Sequence, residues 1–248
     1  LYEFIEWPRR FILEKFKYCK IISFPQSVYY EESKLSNYYK NAFINRCKKC
    51  VNLTLIARER DSYEKYMDMG LENTNIMLIP DIVFSMEYNS ESVSCEKSKD
   101  IALVFRDDIE KSLTMSEEHM IQEIAEEIAE EIGSKILYLD TCDVIISGNG
   151  YSELNDYLAI LSSSKMVFTD RLHGMIMSYI TGTKCVVFDN NNHKIKATVQ
   201  TWFTNKPCVK YYNNIENLPK CYVLDSLLCR RNSFDDQFTK LKEAIING

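Results

Sequence analysis

Residues Lys165 to Thr181 read K-M-V-F-T-D-R-L-H-G-M-I-M-S-Y-I-T. Lys165 to Phe168 is a short apolar run with a β-branched residue and an aromatic. From Leu172 the apolar residues recur as Leu172, Met175, Ile176, Tyr179 and Ile180. The first pattern predicts a strand and the second a helix. Between them a tight turn packs Asp170, Arg171 and His173 into four residues. The carboxyl end of a strand meeting the amino end of a helix is where open α/β sheets bind ligands and where backbone N–H groups attract anions. Arg171 adds a planar fork suited to carboxylate or phosphate, and His173 an imidazole, the side chain suited to moving protons near neutral pH. The simplest task for such a turn is to hold and protonate an anionic substrate. A plainer reading stands beside it, with Asp170 as the helix N-cap, Arg171 a solvated charge and His173 a packed first-turn residue.

Length and composition bound the rest. A chain of 248 residues, 46% hydrophobic, can hold one large domain or two small ones with real cores. The net charge of −6 argues against general binding to nucleic acid or acidic membranes, while leaving room for a local basic pocket. No apolar run approaches bilayer length, and the start L-Y-E-F-I-E-W-P-R-R lacks a signal-peptide layout, so a cytoplasmic location is expected. Nine cysteines in irregular spacing fit reduced thiols better than a disulfide framework. Cys47-Lys-Lys-Cys50 has no second pair at zinc spacing and ends an apparent helix, so no metal site is expected.

Strand and helix patterns alternate along the chain. Tyr2 to Lys17 is helical, Lys20 to Phe24 a strand, Leu35 to Cys50 a helix and Leu53 to Ala57 a strand. Arg58-Glu59-Arg60-Asp61-Ser62 then opens a helix to Met69, and Ile76 to Ile79 is a strand ended by Pro80-Asp81, with Asp81 read as a turn former. The polar stretch Glu87 to Lys99 is the expected linker. Ile101 to Phe105 starts again as a strand leading to Arg106-Asp107-Asp108-Ile109-Glu110. A long helix follows from Ser116 to Ile132, with Ile121, Ile124, Ile128 and Ile132 as its buried face, His119 on its surface and Gly133 as its stop. Lys135 to Leu139 is the next strand, Asn149-Gly150 a turn, and Leu154 to Ser163 a helix before the quoted stretch. Cys185 to Phe188 is a strand and Asp189 to His193 a polar loop, after which Lys194 leads a helical segment closed by Trp202. The alternation predicts an α/β fold of parallel sheets. The expected division is a Rossmann-like domain over 1–90, a second over 100–230 and a closing helix over 231–248. With no G-x-G-x-x-G, a dinucleotide cofactor is not expected.

The motif T-D-R-L-H-G-M, followed by C-V-V-F-D-N-N-N-H-K-I and Trp202, resembles the C-terminal signature of the polysaccharide pyruvyl transferase family. F-P-Q-S from Phe24, A-R-E-R-D-S from Ala57, I-P-D-I-V from Ile79 and F-R-D-D-I-E from Phe105 agree with it in order, over roughly residues 20 to 205. The resemblance implies two domains similar to the GT-B glycosyltransferase form. It also implies a missing N-terminal piece, since the family's opening strand and N-x-G-D turn are not found. The implied reaction moves the enolpyruvyl unit of phosphoenolpyruvate onto two hydroxyls of a sugar, in a cell-surface polysaccharide or its lipid-linked precursor, as a cyclic ketal. Phosphoenolpyruvate is then a co-substrate, with no cofactor and no metal. The implied partners are that donor and a glycan or lipid-linked acceptor, with peripheral membrane contact through the acceptor and no nucleic acid.

By the same resemblance His173 supplies the acid. Arg171, with backbone N–H groups of the helix at Leu172 and Gly174, forms the anion site, and Arg58, Arg106 and Lys194 are further ligand-binding candidates by position. Asp170 is the remaining catalytic candidate, although orienting Arg171 or capping the helix explains it equally well, and no residue stands out as the base. Two other readings fit the same residues: a GT-B glycosyltransferase using a nucleotide-sugar, and a non-catalytic relative that binds an anion or glycan.

Overall fold

Three strands after residue 100, Ile101–Val104, Met166–Thr169 and Lys184–Phe188, are buried along nearly their whole length. Strands apolar on both faces belong in parallel sheets covered by helices on either side, and both sheets of this protein are parallel. The computed structural model describes residues 3–88, 100–140, 150–204, 206–218 and 234–247. The chain divides into two compact units, Leu1–Ser85 with Phe234–Gly248, and Met86–Ser233.

In the first unit the elements run α1 (Glu3–Lys15), β1 (Lys20–Gln26), α2 (Lys34–Cys47), β2 (Asn52–Ala57), α3 (Arg60–Met67), β3 (Thr74–Leu78) and a short 3-10 helix, Ile82–Ser85. The sheet order is β1-β2-β3. Leu53, Leu55 and Ala57 of β2 pack with Phe43 of α2 and Tyr66 of α3 in its core. Strand β1 extends two residues past its expected end. Its register with β2 shifts between Ser23 and Gln26, where Pro25 has no N–H to give the ladder.

The second unit contains β4 (Ile101–Val104), α4 (Met115–Ile132), β5 (Ile136–Leu139), α5 (Gly150–Ser163), β6 (Met166–Thr169), α6 (Leu172–Ile180), β7 (Lys184–Phe188), α7 (Lys194–Trp202) and β8 (Val209–Tyr212). Its sheet order is β5-β4-β6-β7-β8. The chain therefore moves from β4 to one side, then returns to the other side of β4 and builds outward. The direction reverses between β4 and β6. At such a switch point the loops leaving neighbouring strands diverge and open a crevice at the carboxyl ends.

Helix α4 begins earlier than its sequence pattern suggests. The Thr114 hydroxyl accepts the Glu117 N–H at 3.2 Å while the Glu117 carboxylate accepts the Thr114 N–H at 2.8 Å, a reciprocal cap that starts the helix at Met115. Its most buried positions are Ile121, Ala125, Ile128 and Ala129, with Ile124 and Ile132 only partly covered. The small alanines let this face lie close to the sheet. Gly133 ends the helix at φ 66°, a left-handed conformation that suits glycine. The expected linker lies outside the described residues from position 89 on, as does Asn149 of the expected turn, and Gly150 is the first residue of α5. The last helix, α8 (Asp235–Asn247), belongs to the first unit. Among the described residues no helix is long and apolar enough to cross a membrane.

Helix α6 sits tightly on the switch point. A Cβ placed on Gly174 would lie 2.6 Å from Thr169 Oγ1 and 3.2 Å from Val104 Cγ1, closer than packed atoms tolerate. Glycine normally weakens a helix by about 1 kcal/mol relative to alanine, so Gly174→Ala ought to stabilise if propensity ruled. We expect the reverse, a loss of about 1–3 kcal/mol from overpacking, measured by chemical denaturation. A gain in stability would show that α6 can lift off the sheet without cost.

Candidate active site

Strand β6 ends in Thr169, whose hydroxyl donates to the Val104 carbonyl at 2.7 Å and accepts the Arg171 N–H at 2.9 Å. One residue on, the Asp170 carboxylate accepts the Arg106 backbone N–H at 2.9 Å through Oδ1. These bonds fasten the turn after β6 to the end of β4, across the switch point. Asp170 has no exposed surface, and its Oδ2 has no hydrogen-bond partner among the described residues. Burial raises its carboxyl to about 6, against the opposing pull of the Arg106 N–H and the Arg106 and Arg171 guanidinium groups. Asp170 does not cap the helix. The N-cap position of α6 is Arg171, whose side chain makes no cap bond and points elsewhere.

The Arg171 guanidinium forks between two carboxylates, with Nη1 2.7 Å from Asp108 Oδ2 and Nη2 2.8 Å from Asp140 Oδ2. Asp140 follows β5, so this arginine reaches from the β6 turn to the loops after both β4 and β5. Arg106 sets its Nη1 2.8 Å from Glu110 Oε2 and its Nε 3.3 Å from Asp108 Oδ1. Lys194, the first residue of α7, places Nζ 3.1 Å from Glu110 Oε1. Asp108 and Glu110 thus each join two cations. Burial alone would raise the Asp108 carboxyl. The Glu110 N–H with the guanidinium groups of Arg106 and Arg171 instead holds it below its ordinary value.

Lys194 arrives because the β7–α7 loop is tied to the β4 loop. Asn191 Nδ2 donates to the Ile109 and Lys111 carbonyls at 3.2 and 2.8 Å, the Asn191 N–H donates to the Glu110 carbonyl at 3.2 Å, and the Ser112 hydroxyl donates to the Asp189 carbonyl at 2.7 Å. His193 adopts φ 56°, unusual for a residue other than glycine, with Nδ1 2.6 Å from Asp189 Oδ2.

Of the residues expected from sequence, Arg106, Arg171 and Lys194 are gathered into one charged network. His173 stands exposed in the first turn of α6. Leu172 and Gly174 are buried, and the missing side chain of Gly174 serves the contact with Thr169 and Val104. Any ligand contact they make is through the first-turn N–H groups, which have no helical carbonyl partner. Arg58 belongs to the first unit, where its Nη1 is 2.8 Å from Asp81 Oδ2 and its Nε donates to the Ser27 hydroxyl at 2.7 Å. Ser62 is buried, donating to the Glu59 carboxylate and accepting the Val28 N–H at 2.6 Å. Asp81 is therefore the ion-pair partner of Arg58 as well as a turn residue. The sequence reading did not single out Asp108, Glu110, Asp140 and Asn191 as site residues. Asp108 and Glu110 lie within the quoted F-R-D-D-I-E stretch and Asn191 within D-N-N-N-H, whereas the signal for Asp140 was its position after β5 alone. Among the described residues no group of three or more His, Cys, Asp or Glu side chains could hold a metal ion.

A sequence model of the family described as polysaccharide pyruvyl transferase matches residues 1–192. The chain is 32% identical over 231 residues to general stress protein 30 of Bacillus subtilis, a match spanning 92% of this chain and 65% of that protein. It is 27% identical over 202 residues to pyruvyl transferase 1 of Schizosaccharomyces pombe, spanning 78% of this chain and 49% of that one. Among solved structures, an uncharacterised protein of Klebsiella pneumoniae shares the fold with a TM-score of 0.54 at 19% identity, over 79% of this chain and 64% of that one. The chain thus spans at most 65% of the length of these relatives.

The raised Asp170 carboxyl makes a signed prediction. A carboxyl whose folded value lies above its unfolded value stabilises most when protonated, and loses that contribution as pH rises from about 4 to about 6. Relative to Asp170→Asn, the unmodified protein should gain on the order of 3 kcal/mol as pH falls from 7 to 4. Urea unfolding of both proteins across that range tests it. A relative loss on acidification would mean that Arg106 and Arg171 keep the carboxylate ionised.

Proposed function

The chain belongs to the polysaccharide pyruvyl transferase family, and from that premise we propose that it transfers the enolpyruvyl unit of phosphoenolpyruvate to a sugar. The acceptor is a cell-surface polysaccharide or its lipid-linked precursor, and the product a cyclic pyruvate ketal. The proposed architecture is two Rossmann-like domains of the GT-B kind. The proposed setting is the cytoplasm, with membrane contact only through the acceptor. The observation that supports this reading is the gathering of Arg106, Arg171 and Lys194 at the switch point of the second sheet, beside the amino end of α6.

The chemistry explains why such a cluster is useful. Phosphoenolpyruvate brings a carboxylate and a phosphate, so its site needs cations and N–H donors already in place. A proton added to the methylene carbon leaves electron deficiency at C2. One sugar hydroxyl adds there, the C2–O bond to phosphate breaks, and a second hydroxyl closes the ring. The two hydroxyl protons are balanced by the one on the new methyl group and the one that leaves with phosphate. In this scheme Arg171 and the first-turn N–H groups of α6 hold the donor, with Arg106 and Lys194 adding positive charge. His173, exposed at the same helix end, delivers the proton. Asp170 has no surface to offer a substrate and acts as a positioning residue, through the Arg106 N–H and the turn it shares with Arg171. The carboxylates that pair with the cations keep them oriented before the donor arrives, which lowers the reorganisation needed on binding.

Phosphoenolpyruvate at a hundred times its dissociation constant should stabilise the folded chain by ~2.7 kcal/mol and raise its thermal midpoint. Arg171→Ala should abolish that shift. His173→Ala should keep it while turnover falls by roughly 10²–10⁴-fold. A shift with a UDP-sugar alone, and none with phosphoenolpyruvate, would replace pyruvyl transfer by glycosyl transfer.

A further inference from the structure

A cavity of about 750 Å³ opens in the second unit beside the charged network, bounded by the ends of β4 and β5 and the first two turns of α4. Its volume lies within the ~300–1,000 Å³ of small-molecule sites. Resting on the pyruvyl transfer reading, we infer that it is the acceptor site and that it takes an uncharged sugar ring.

The lining decides the chemistry. Phe105 and Tyr138 put two aromatic rings on the wall, and the Tyr138 side of the edge strand is well exposed. Aromatic faces cover the C–H face of a pyranose without requiring a charge partner. Glu118, His119, Gln122 and Asp140 supply acceptors and donors suited to hydroxyl groups. Among the described lining residues there is no lysine or arginine, and the two carboxylates, Glu118 and Asp140, each sit 2.8 Å from a cation behind the wall, Lys111 and Arg171. The lining is therefore close to neutral and offers little net positive charge to a phosphate or a carboxylate ligand. The amino end of α4, which would otherwise draw an anion, is already served by Thr114 and Glu117 of its capping box and carries Glu118 as well.

Position gives the second argument. Asp140 lines the cavity and is also the carboxylate 2.8 Å from Arg171 Nη2. A sugar hydroxyl hydrogen-bonded to Asp140 is therefore one carboxylate away from the guanidinium assigned to the donor. The cavity thus places an uncharged acceptor beside an anionic donor, with Asp140 as the positioning residue between the two.

Ligand-observed saturation-transfer NMR on the full chain tests this, using methyl glycosides of galactose, glucose, mannose and N-acetylglucosamine as probes. At least one should bind, and Tyr138→Ala and Gln122→Ala should each weaken that binding about tenfold. Both residues lie toward the surface, and circular dichroism of each variant confirms its fold. Binding of none of the four probes, or binding that neither variant weakens, would overturn the assignment. So would UMP binding that the same variants abolish, which would make the cavity a nucleotide site. Glycoside binding without a phosphoenolpyruvate shift would uphold the cavity and sink the donor reading. A phosphoenolpyruvate shift without glycoside binding would do the opposite.

Discussion

The hydrogen bond from the Arg106 N–H to the buried Asp170 carboxylate is the constraint on which the site depends. The strand ladder between β4 and β6 ends at the pairing of Val104 with Thr169. Beyond that pair the ladder stops, and among the described residues no backbone–backbone hydrogen bond joins the two loops. Asp170 reaches across the gap, and the Thr169 hydroxyl ties the same turn to the Val104 carbonyl. The β4 loop and the β6 turn take their relative position from these bonds. Arg106 follows directly, the β4 loop then carries Asp108 and Glu110, and those acids orient Arg171 and Lys194. A buried carboxylate is costly; its value near 6 shows how far burial offsets the attraction of two nearby arginines.

The network around it is nearly balanced in charge. Arg106, Arg171 and Lys194 face Asp108, Glu110 and Asp140, and two of the acids are shared. An isolated arginine cluster would repel itself and swing its side chains into solvent. Interleaved acids keep the forks fixed in the absence of an anion. The first unit repeats the device on a smaller scale, where Arg58 is held at the end of β2 by Asp81 and Ser27.

Much of this was legible in the chain. The change from a short apolar run to helical spacing at Leu172 located β6, the turn and α6, and the T-D-R-L-H-G-M motif marked Arg171 and His173 as site residues. Arg106 and Lys194 were reached through the same resemblance. The geometry that joins them was not legible, because it depends on strand order. Asp108, Asp140 and Arg171 are far apart in sequence, and only the order β5-β4-β6 brings the three loops together. Local spacing also favoured Asp170 as a cap, since an aspartate before a helix usually bonds its own first turn; here the longer-range bond to Arg106 wins. The start of α4 was misplaced by one residue because its cap, Thr114, lies outside the apolar pattern that signals the helix.

The closing helix carries a consequence for how the protein is made. Phe238 and Leu241 of α8 are buried in the first unit, Phe234 sets its ring 5.0 Å from that of Phe84, and Lys20 Nζ donates to the Ile245 carbonyl at 2.6 Å. The whole second unit is therefore an insertion within the first. During synthesis every strand of the inserted unit leaves the ribosome ahead of α8, so the inserted unit is free to build its core while the earlier unit still waits for that helix. The usual order, in which the N-terminal part of a chain matures first, is inverted. The residues of the Arg106–Asp170 crevice all precede the helix that closes the unit carrying Arg58.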